Sequence, residues 1–259
     1  WSLDHPGPMC RTVVDCALVL DVVAGYDAKD PASINAPLSD YRAALTGNVR
    51  GLRIGVPKEY FEVPLDAEIK KSVKSALDVL AHLGAEVKEV SWPMYHNSAA
   101  MSTVILYAEA AAFHRELVLK RGNEYDPSIR WRIEAGMFIS GVDYVRAQRA
   151  RAAFTDSAVK LFQEVDLIAG PMEPMIAPKI GEEQLEIAGQ QVGVIAALTQ
   201  YTRPFNLTGF PALTVPCGFS DGYPIGLQLA ARPLEEGVAL NAGYAYQQST
   251  DWHTRRPPI

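Results

Sequence analysis

Residues 52–90 read LRIGVPKEYFEVPLDAEIKKSVKSALDVLAHLGAEVKEV, and this stretch decides the fold. Leu52-Arg53-Ile54-Gly55-Val56 is short, apolar and stopped by Pro57, as a buried strand is. Asp66 stands where a helix N-cap belongs, and Ile69, Val73, Leu77 and Leu80 recur at helical spacing as far as Gly84. Glu86 to Val90 is the next strand. Strand, helix and strand in that order build a parallel sheet, because the crossover helix brings the chain back to the starting edge.

Working outward, Val13, Val14, Ala17, Leu18, Leu20, Val22 and Val23 leave the segment Arg11–Ala24 little polar face, which predicts a helix buried on most sides. Thr12 and Asp15 make a capping-box variant at its start, and Gly25 stops it. Residues 26–38 carry the Asp, Pro, Ser and Asn of a surface loop. Past Val90 the pattern turns helical over Asn97–Lys120, Pro127 to about Ile139 and Val142 to about Glu164. Strands return at Val165–Ala169, Ala212–Pro216 and Ile225–Leu229, and a last helix runs from Glu236 to about Gln248. The expected class is α/β, a mixed and largely parallel sheet flanked by helices. We read residues 1–259 as a portion of a single domain with a helical layer at about 97–164, without internal repeat or linker.

Composition narrows the function. A net charge of −6 lacks the clustered Lys/Arg excess of a nucleic-acid surface, so nucleic acid is not an expected partner. No stretch approaches the roughly 20 apolar residues of a membrane span. Three cysteines, Cys10, Cys16 and Cys217, make no disulfide framework and no Cys-x-x-Cys pair, which fits reduced thiols and a cytoplasmic location. His5, His82, His96, His114 and His253 are scattered, with no metal-ligand spacing, and no metal or organic cofactor is implied. Ser157-Ala158-Val159-Lys160 has the Ser-x-x-Lys form, but its usual companions Ser-Asp-Asn and Lys-Thr-Gly are absent, so we read an ordinary helix surface. Asn206-Leu207-Thr208 is a formal sequon beside an apolar run, and Asn206 reads as a turn or site-lining residue. Two proline-punctuated segments stand out, Gly170-Pro171-Met172-Glu173-Pro174-Met175-Ile176-Ala177-Pro178 and Arg203-Pro204-Phe205-Asn206-Leu207-Thr208-Gly209-Phe210-Pro211. Proline removes donors and restricts the backbone, so both are expected as rigid, extended loops at strand ends, where open α/β sheets place ligands.

These segments, taken together, resemble the amidase-signature hydrolases. The markers are Ser2-Leu3-Asp4-His5-Pro6-Gly7-Pro8-Met9 with Arg11-Thr12-Val13, then Ala24-Gly25, Arg53-Ile54-Gly55-Val56-Pro57 and Val165-Asp166-Leu167 leading into Pro171. Pro204-Phe205-Asn206-Leu207-Thr208-Gly209, Pro224-Ile225-Gly226-Leu227-Gln228-Leu229 and the ending Thr250-Asp251-Trp252-His253-Thr254-Arg255-Arg256-Pro257 follow in the family's order. The resemblance implies hydrolysis of a small carboxamide to acid and ammonia. In that chemistry a Lys works through a cis-bonded Ser to activate a nucleophilic Ser, since a hydroxyl without an adjacent base is a poor nucleophile. The chain contains no Gly-Gly and no Ser-Ser pair, whereas the family's serines lie in Gly-Gly-Ser elements. Trp1-Ser2-Leu3 does not read as a translation start. The expectation is that the triad lies upstream of Trp1, that no catalytic residue falls in this chain, and that its partner is the N-terminal half of the domain. By resemblance Met172, Met175, Ile176, Phe205 and Asn206 line the acyl pocket, the helical layer roofs it, and Arg132 is a candidate carboxylate partner. Asp4 and Arg11 brace the catalytic loop. A homodimer is compatible with the family. A rival reading is the A subunit of a glutamine-dependent tRNA amidotransferase, whose pattern places an Asp where this chain has Thr199. A reading of another class is a non-catalytic binding fragment or pseudo-enzyme.

Overall fold

The computed structural model describes residues 1–37 and 39–256; Leu38 at the end of the expected loop, and Pro257, lie outside the described residues. The elements in chain order are α1 (Val13–Val23), β1 (Arg53–Pro57), α2 (Ala67–His82), β2 (Glu86–Val90), α3 (Ser98–Arg121), α4 (Pro127–Gly136), α5 (Gly141–Glu164) and β3 (Leu167–Pro171). They continue as β4 (Gln184–Ile187), β5 (Gln190–Gly193), α6 (Val194–Leu198), α7 (Arg203–Thr208), β6 (Ala212–Ser220), β7 (Tyr223–Ala230) and α8 (Glu236–Gln248).

The strand–helix–strand unit forms as its sequence predicts. The Asp66 carboxylate accepts from the N–H groups of Glu68 (2.8 Å) and Ile69 (3.3 Å), and Ile69, Val73, Leu77 and Leu80 are buried. β1 pairs parallel with β2, Arg53 opposite Glu86, and parallel with β3, Ile54 opposite Leu167. β7 then runs antiparallel to β3, and β6 antiparallel to β7, in the order β2-β1-β3-β7-β6. The sheet is therefore mixed, with β7 alone reversed and the other four strands codirectional. Helices flank it. β4 and β5 form a separate two-stranded hairpin whose Ile187 shares a small core with Met175 and Ala197.

Three sequence expectations need correction. α1 is capped as predicted, the Thr12 hydroxyl accepting from the Asp15 N–H at 3.0 Å. It buries only Val13, Cys16 and Ala17, however, and Val22 and Val23 are 82% and 66% exposed. Its apolar outer face has no covering element among the described residues. The strand expected at Val165–Ala169 begins two residues later, because Val165 is the C-cap of α5 and its N–H donates to Leu161 O. The segment at Arg203–Thr208, expected as extended, is a short helix. Pro204 sits in its first turn, where a missing N–H costs nothing, and Gly209 ends it in the left-handed region at φ 75°.

Two local networks fix the sheet's ends. Asp166, just before β3, accepts from Arg53 Nη2 at 2.6 Å and from the Arg53 N–H at 3.0 Å, and lies 3.4 Å from Arg232 Nη2. These hydrogen bonds hold its carboxyl at about 2, well below its ordinary 3.8. Beyond the opposite ends of β1 and β2, Tyr60 and Tyr95 pack at 4.9 Å between ring centroids, and Tyr201 meets Tyr60 at 5.3 Å. Tyr201 Oη donates to Tyr60 O at 2.8 Å. Gly170 is required here, since a Cβ would sit 2.4 Å from the Tyr60 ring.

Candidate functional site

One cavity, of about 460 Å³, is walled by helices and by the segment at Leu3–Asp4; among the described residues no strand residue lines it. From α3 come Ser102, Thr103, Leu106, Tyr107, Ala110 and His114, one face at helical spacing. Ile129, Arg132 and Ile133 come from α4 at i, i+3 and i+4. Ile195, Thr199, Thr202, Arg203 and Asn206 complete the wall from α6, α7 and their junction. Helices α3 and α4 close on each other at Gly136, where a Cβ would lie 2.0 Å from the Tyr107 carbonyl oxygen.

The Leu3 edge of the cavity is tightly held. Asn206 Nδ2 donates to Leu3 O at 2.7 Å. Arg151, from α5, donates to Ser2 O and Ser2 Oγ, both at 2.7 Å, and to Leu207 O at 2.5 Å. Glu109, from α3, accepts from the Ser2 N–H (2.9 Å), Ser2 Oγ (2.7 Å) and Tyr144 Oη (2.9 Å). Burial alone would raise the Glu109 carboxyl; these donors overcome it and hold the group below its ordinary value. Burial also pulls the guanidinium of Arg151 down.

On the cavity wall Arg203 donates to the Thr199 hydroxyl, and its burial likewise pulls it down. Arg132 stacks over the Trp131 ring at 5.2 Å. Asp4 stands exposed at the mouth.

A second cavity of about 310 Å³ lies over the β6–β7 hairpin beyond the end of β3. Met172, Glu173, Met175 and Ala177 line one side, and Thr214, Pro216, Pro224 and Ile225 the other. Thr214 Oγ1 donates to Met172 Sδ at 3.1 Å. Burial raises the Glu173 carboxyl.

The residues expected to form one pocket are thus distributed. Asp4, Arg132 and Asn206 meet on the first cavity, and Met172 and Met175 on the second. Phe205 is buried in the main core, its ring 6.2 Å from Trp92. Ile176 is half-buried beside Met175, and Arg11 is exposed and lines neither cavity. Thr199, where the amidotransferase pattern has Asp, is on the first cavity wall beside Arg203. Arg203 and the α3 face were not singled out by sequence. The signal for Arg203 was a lone cation in an apolar, proline-marked stretch, and for α3 the helical spacing that puts Ser102, Thr103, Tyr107 and His114 on one face with Leu106 and Ala110.

Ser157 is not a bare surface residue: its Oγ accepts from Trp92 Nε1 at 2.8 Å and donates to Phe154 O at 2.6 Å, a packing role. Burial pushes the Cys16 thiol up to about 11 and Cys217 up to about 12. Among the described residues no cluster of His, Cys, Asp or Glu is placed to hold a metal ion, and no helix is long and apolar enough to cross a membrane.

Against known proteins, a family model described as Amidase matches residues 1–240. An amidase of Pseudomonas putida is 40% identical over 261 residues, covering 100% of this chain and 56% of the relative. The A subunit of the glutamyl-tRNA(Gln) amidotransferase of Chloroflexus aggregans is also 40% identical, over 283 residues, covering 100% of this chain and 57% of the relative. A crystal structure of an amidase superposes with a TM-score of 0.83 at 30% identity, covering 96% of this chain and 53% of that one. The chain spans about half the length of the curated relatives it matches.

Proposed function

This chain belongs to the amidase family, and we propose that it is the C-terminal portion of a single amidase domain, supplying the substrate pocket of an amide hydrolase. The family match over residues 1–240 carries this reading. The Ser–cisSer–Lys machinery belongs to a segment upstream of Trp1, and attack by the activated serine there expels ammonia and leaves an acyl-enzyme for water to release. Two observations support an N-terminal partner segment. The outer face of α1 presents Val14, Leu18, Val19, Val22 and Val23 to solvent, and the nine-residue strand β6 has one side unpaired at the sheet edge among the described residues.

Within this division of labour the first cavity receives the substrate. Arg132 faces a carboxylate and Asn206 holds the wall, while Phe205 supports it from behind. Met172 and Met175 shape the second cavity, with Ile176 packed beside Met175, and Asp4 and Arg11 steady the catalytic loop.

The test begins upstream of Trp1. Gly-Gly-Ser elements encoded there, and ammonia release from simple amides by the contiguous polypeptide but not by residues 1–259 alone, are the expected results. Turnover by residues 1–259 alone would refute the assignment of the triad. A start codon shortly before Trp1 would instead favour a pseudo-enzyme. A second reading, the amidotransferase's A subunit, draws on equal identity to a protein of that kind. Thr199 and Arg203 on the cavity wall favour the free-standing hydrolase, and glutaminase activity stimulated by partner subunits would reverse the order.

A further inference from the structure

We infer that the second cavity binds a small organic ammonium ion, with Glu173 as its counter-charge. This site is separate from the first cavity and goes beyond the amide-hydrolase reading.

The other carboxylates that are buried or half-buried have their donors in place. Glu59 accepts from Ser91 Oγ at 2.6 Å and from the Trp92 N–H at 2.8 Å, and Glu109 accepts from Ser2 and Tyr144. Asp21 meets Arg42, Glu134 meets Arg130, Asp166 meets Arg53, and Glu235 meets Arg232. Asp66 and Glu236 stand at the starts of α2 and α8, where the helix dipole favours negative charge. Glu173 is half-buried yet has neither a donor nor a cation among the described residues. Burial raises its carboxyl and nothing opposes the rise, as expected of a charge that lacks a partner.

The backbone is fixed on both sides of this carboxylate. The Met172 N–H donates to Gly226 O at 3.0 Å, which ties it to β7. Pro174 O accepts from the Asp66 N–H at 2.9 Å, which ties it to the cap of α2. Pro174 also restricts the Glu173 backbone to extended conformations. The carboxylate is therefore carried on a support that is ordered before anything binds, which lowers the cost of binding.

The rest of the lining selects the ligand. Ile69, Met172, Met175, Pro216, Pro224 and Ile225 make an apolar wall around about 310 Å³. Thr214 adds a hydroxyl whose proton is directed at Met172 Sδ, so that its oxygen is left as a second acceptor. A hard metal ion needs about six oxygens, more than these two side chains supply. An anion is repelled by Glu173, and a purely apolar guest would seal the carboxylate from water without a partner. A primary ammonium on a short carbon chain meets each demand, with N–H donors and a charge for Glu173 and methylenes for the thioethers. No aromatic ring lines the cavity among the described residues, so the ion pair and not a ring face makes the recognition.

Isothermal titration calorimetry on the contiguous polypeptide tests this with butylammonium chloride. 1-Butanol is its neutral counterpart, and ammonium chloride supplies the charge without the chain. We expect butylammonium to bind at least tenfold tighter than either, about 1.4 kcal/mol. In Glu173→Gln, which keeps the shape and removes the charge, the ratio of butylammonium to butanol affinity should fall below about threefold. A roughly tenfold rise in ionic strength should weaken butylammonium and leave butanol alone. Equal binding of butylammonium and butanol, or a ratio unchanged by Glu173→Gln, overturns the inference. Ammonium bound as tightly as butylammonium overturns it too, since the apolar wall would then select nothing. If Glu173→Gln does not fold, Glu173→Asp and the salt series on the unsubstituted protein decide it by the same ratio. Binding is read without turnover, so its failure and the failure of the amide-hydrolase reading are separate results.

Discussion

Gly136→Ala should damage this protein out of proportion to a single methyl group. Gly136 ends α4 at its closest approach to α3, and the added Cβ would lie 2.0 Å from Tyr107 O, 2.6 Å from Tyr107 C and 2.9 Å from Ala111 Cβ. Comfortable separations are about 3.5 Å, so the helices must part by roughly 1 to 1.5 Å. The obstructing atoms are backbone, and no rotamer change relieves them. Helix propensity favours Ala over Gly by roughly 1 kcal/mol. Overpacking of this kind costs about 3 kcal/mol, which leaves a net destabilisation of about 2 kcal/mol. Gly141→Ala is the internal control: that residue opens α5 and nothing lies within 4 Å of its Cβ position, so it should be neutral or stabilising by up to about 1 kcal/mol. Urea unfolding followed by the fluorescence of buried Trp92 measures both. A Gly136→Ala protein within about 0.5 kcal/mol of the parent would refute the packing described here.

Three further outcomes follow from the networks. Asp166, held at about 2 against an ordinary 3.8, contributes stability that is complete above about pH 4 and is lost as pH falls through about 2. Allowing for its partial exposure this is worth about 1 to 2 kcal/mol, and Asp166→Asn should flatten that acid limb in urea titrations; an unchanged limb would assign it to another group. Arg151→Met strips Ser2 and Leu207 of their donor and leaves Glu109 half-compensated, at a cost of about 2 to 4 kcal/mol. Hydrogen exchange at residues 2–4 should accelerate, and protection equal to the parent's would contradict the clasp. Val22→Glu, on the bare face of α1, should change the unfolding of residues 1–259 by less than about 0.5 kcal/mol yet abolish ammonia release by the contiguous polypeptide. Full activity would show that nothing docks there.

The elements legible in the sequence were those whose information is local. β1, α2 and β2 announce themselves through Pro57, the Asp66 cap and the 69-73-77-80 stripe, and α8 through its apolar spacing. Pro204 misled, because proline forbids a strand interior and a helix interior alike but suits a helix's first turn, and only the tertiary setting chooses. The burial of α1 was overestimated for a related reason: hydrophobicity states what a face prefers, not whether a partner is present. At the site, Arg132 and Asn206 could be named from pattern, whereas Arg203 gains its meaning only from its place on the cavity wall beside Thr199. That is a property of three dimensions.

The tyrosine group beyond β1 and β2 gives the molecule a built-in alkaline indicator. Tyr60, Tyr95 and Tyr201 are buried against one another, and that seclusion pushes their phenols far above the range in which exposed tyrosines ionise. In a base titration the outer rings should turn to phenolate smoothly and reversibly. These three should hold back until the junction between the end of β1 and the start of α7 comes apart, and then change together. Tyr246 on α8 is secluded too and its phenol is likewise raised, so in a Tyr246→Phe protein the late step in ultraviolet absorbance would time the opening of that one corner, without any label being attached.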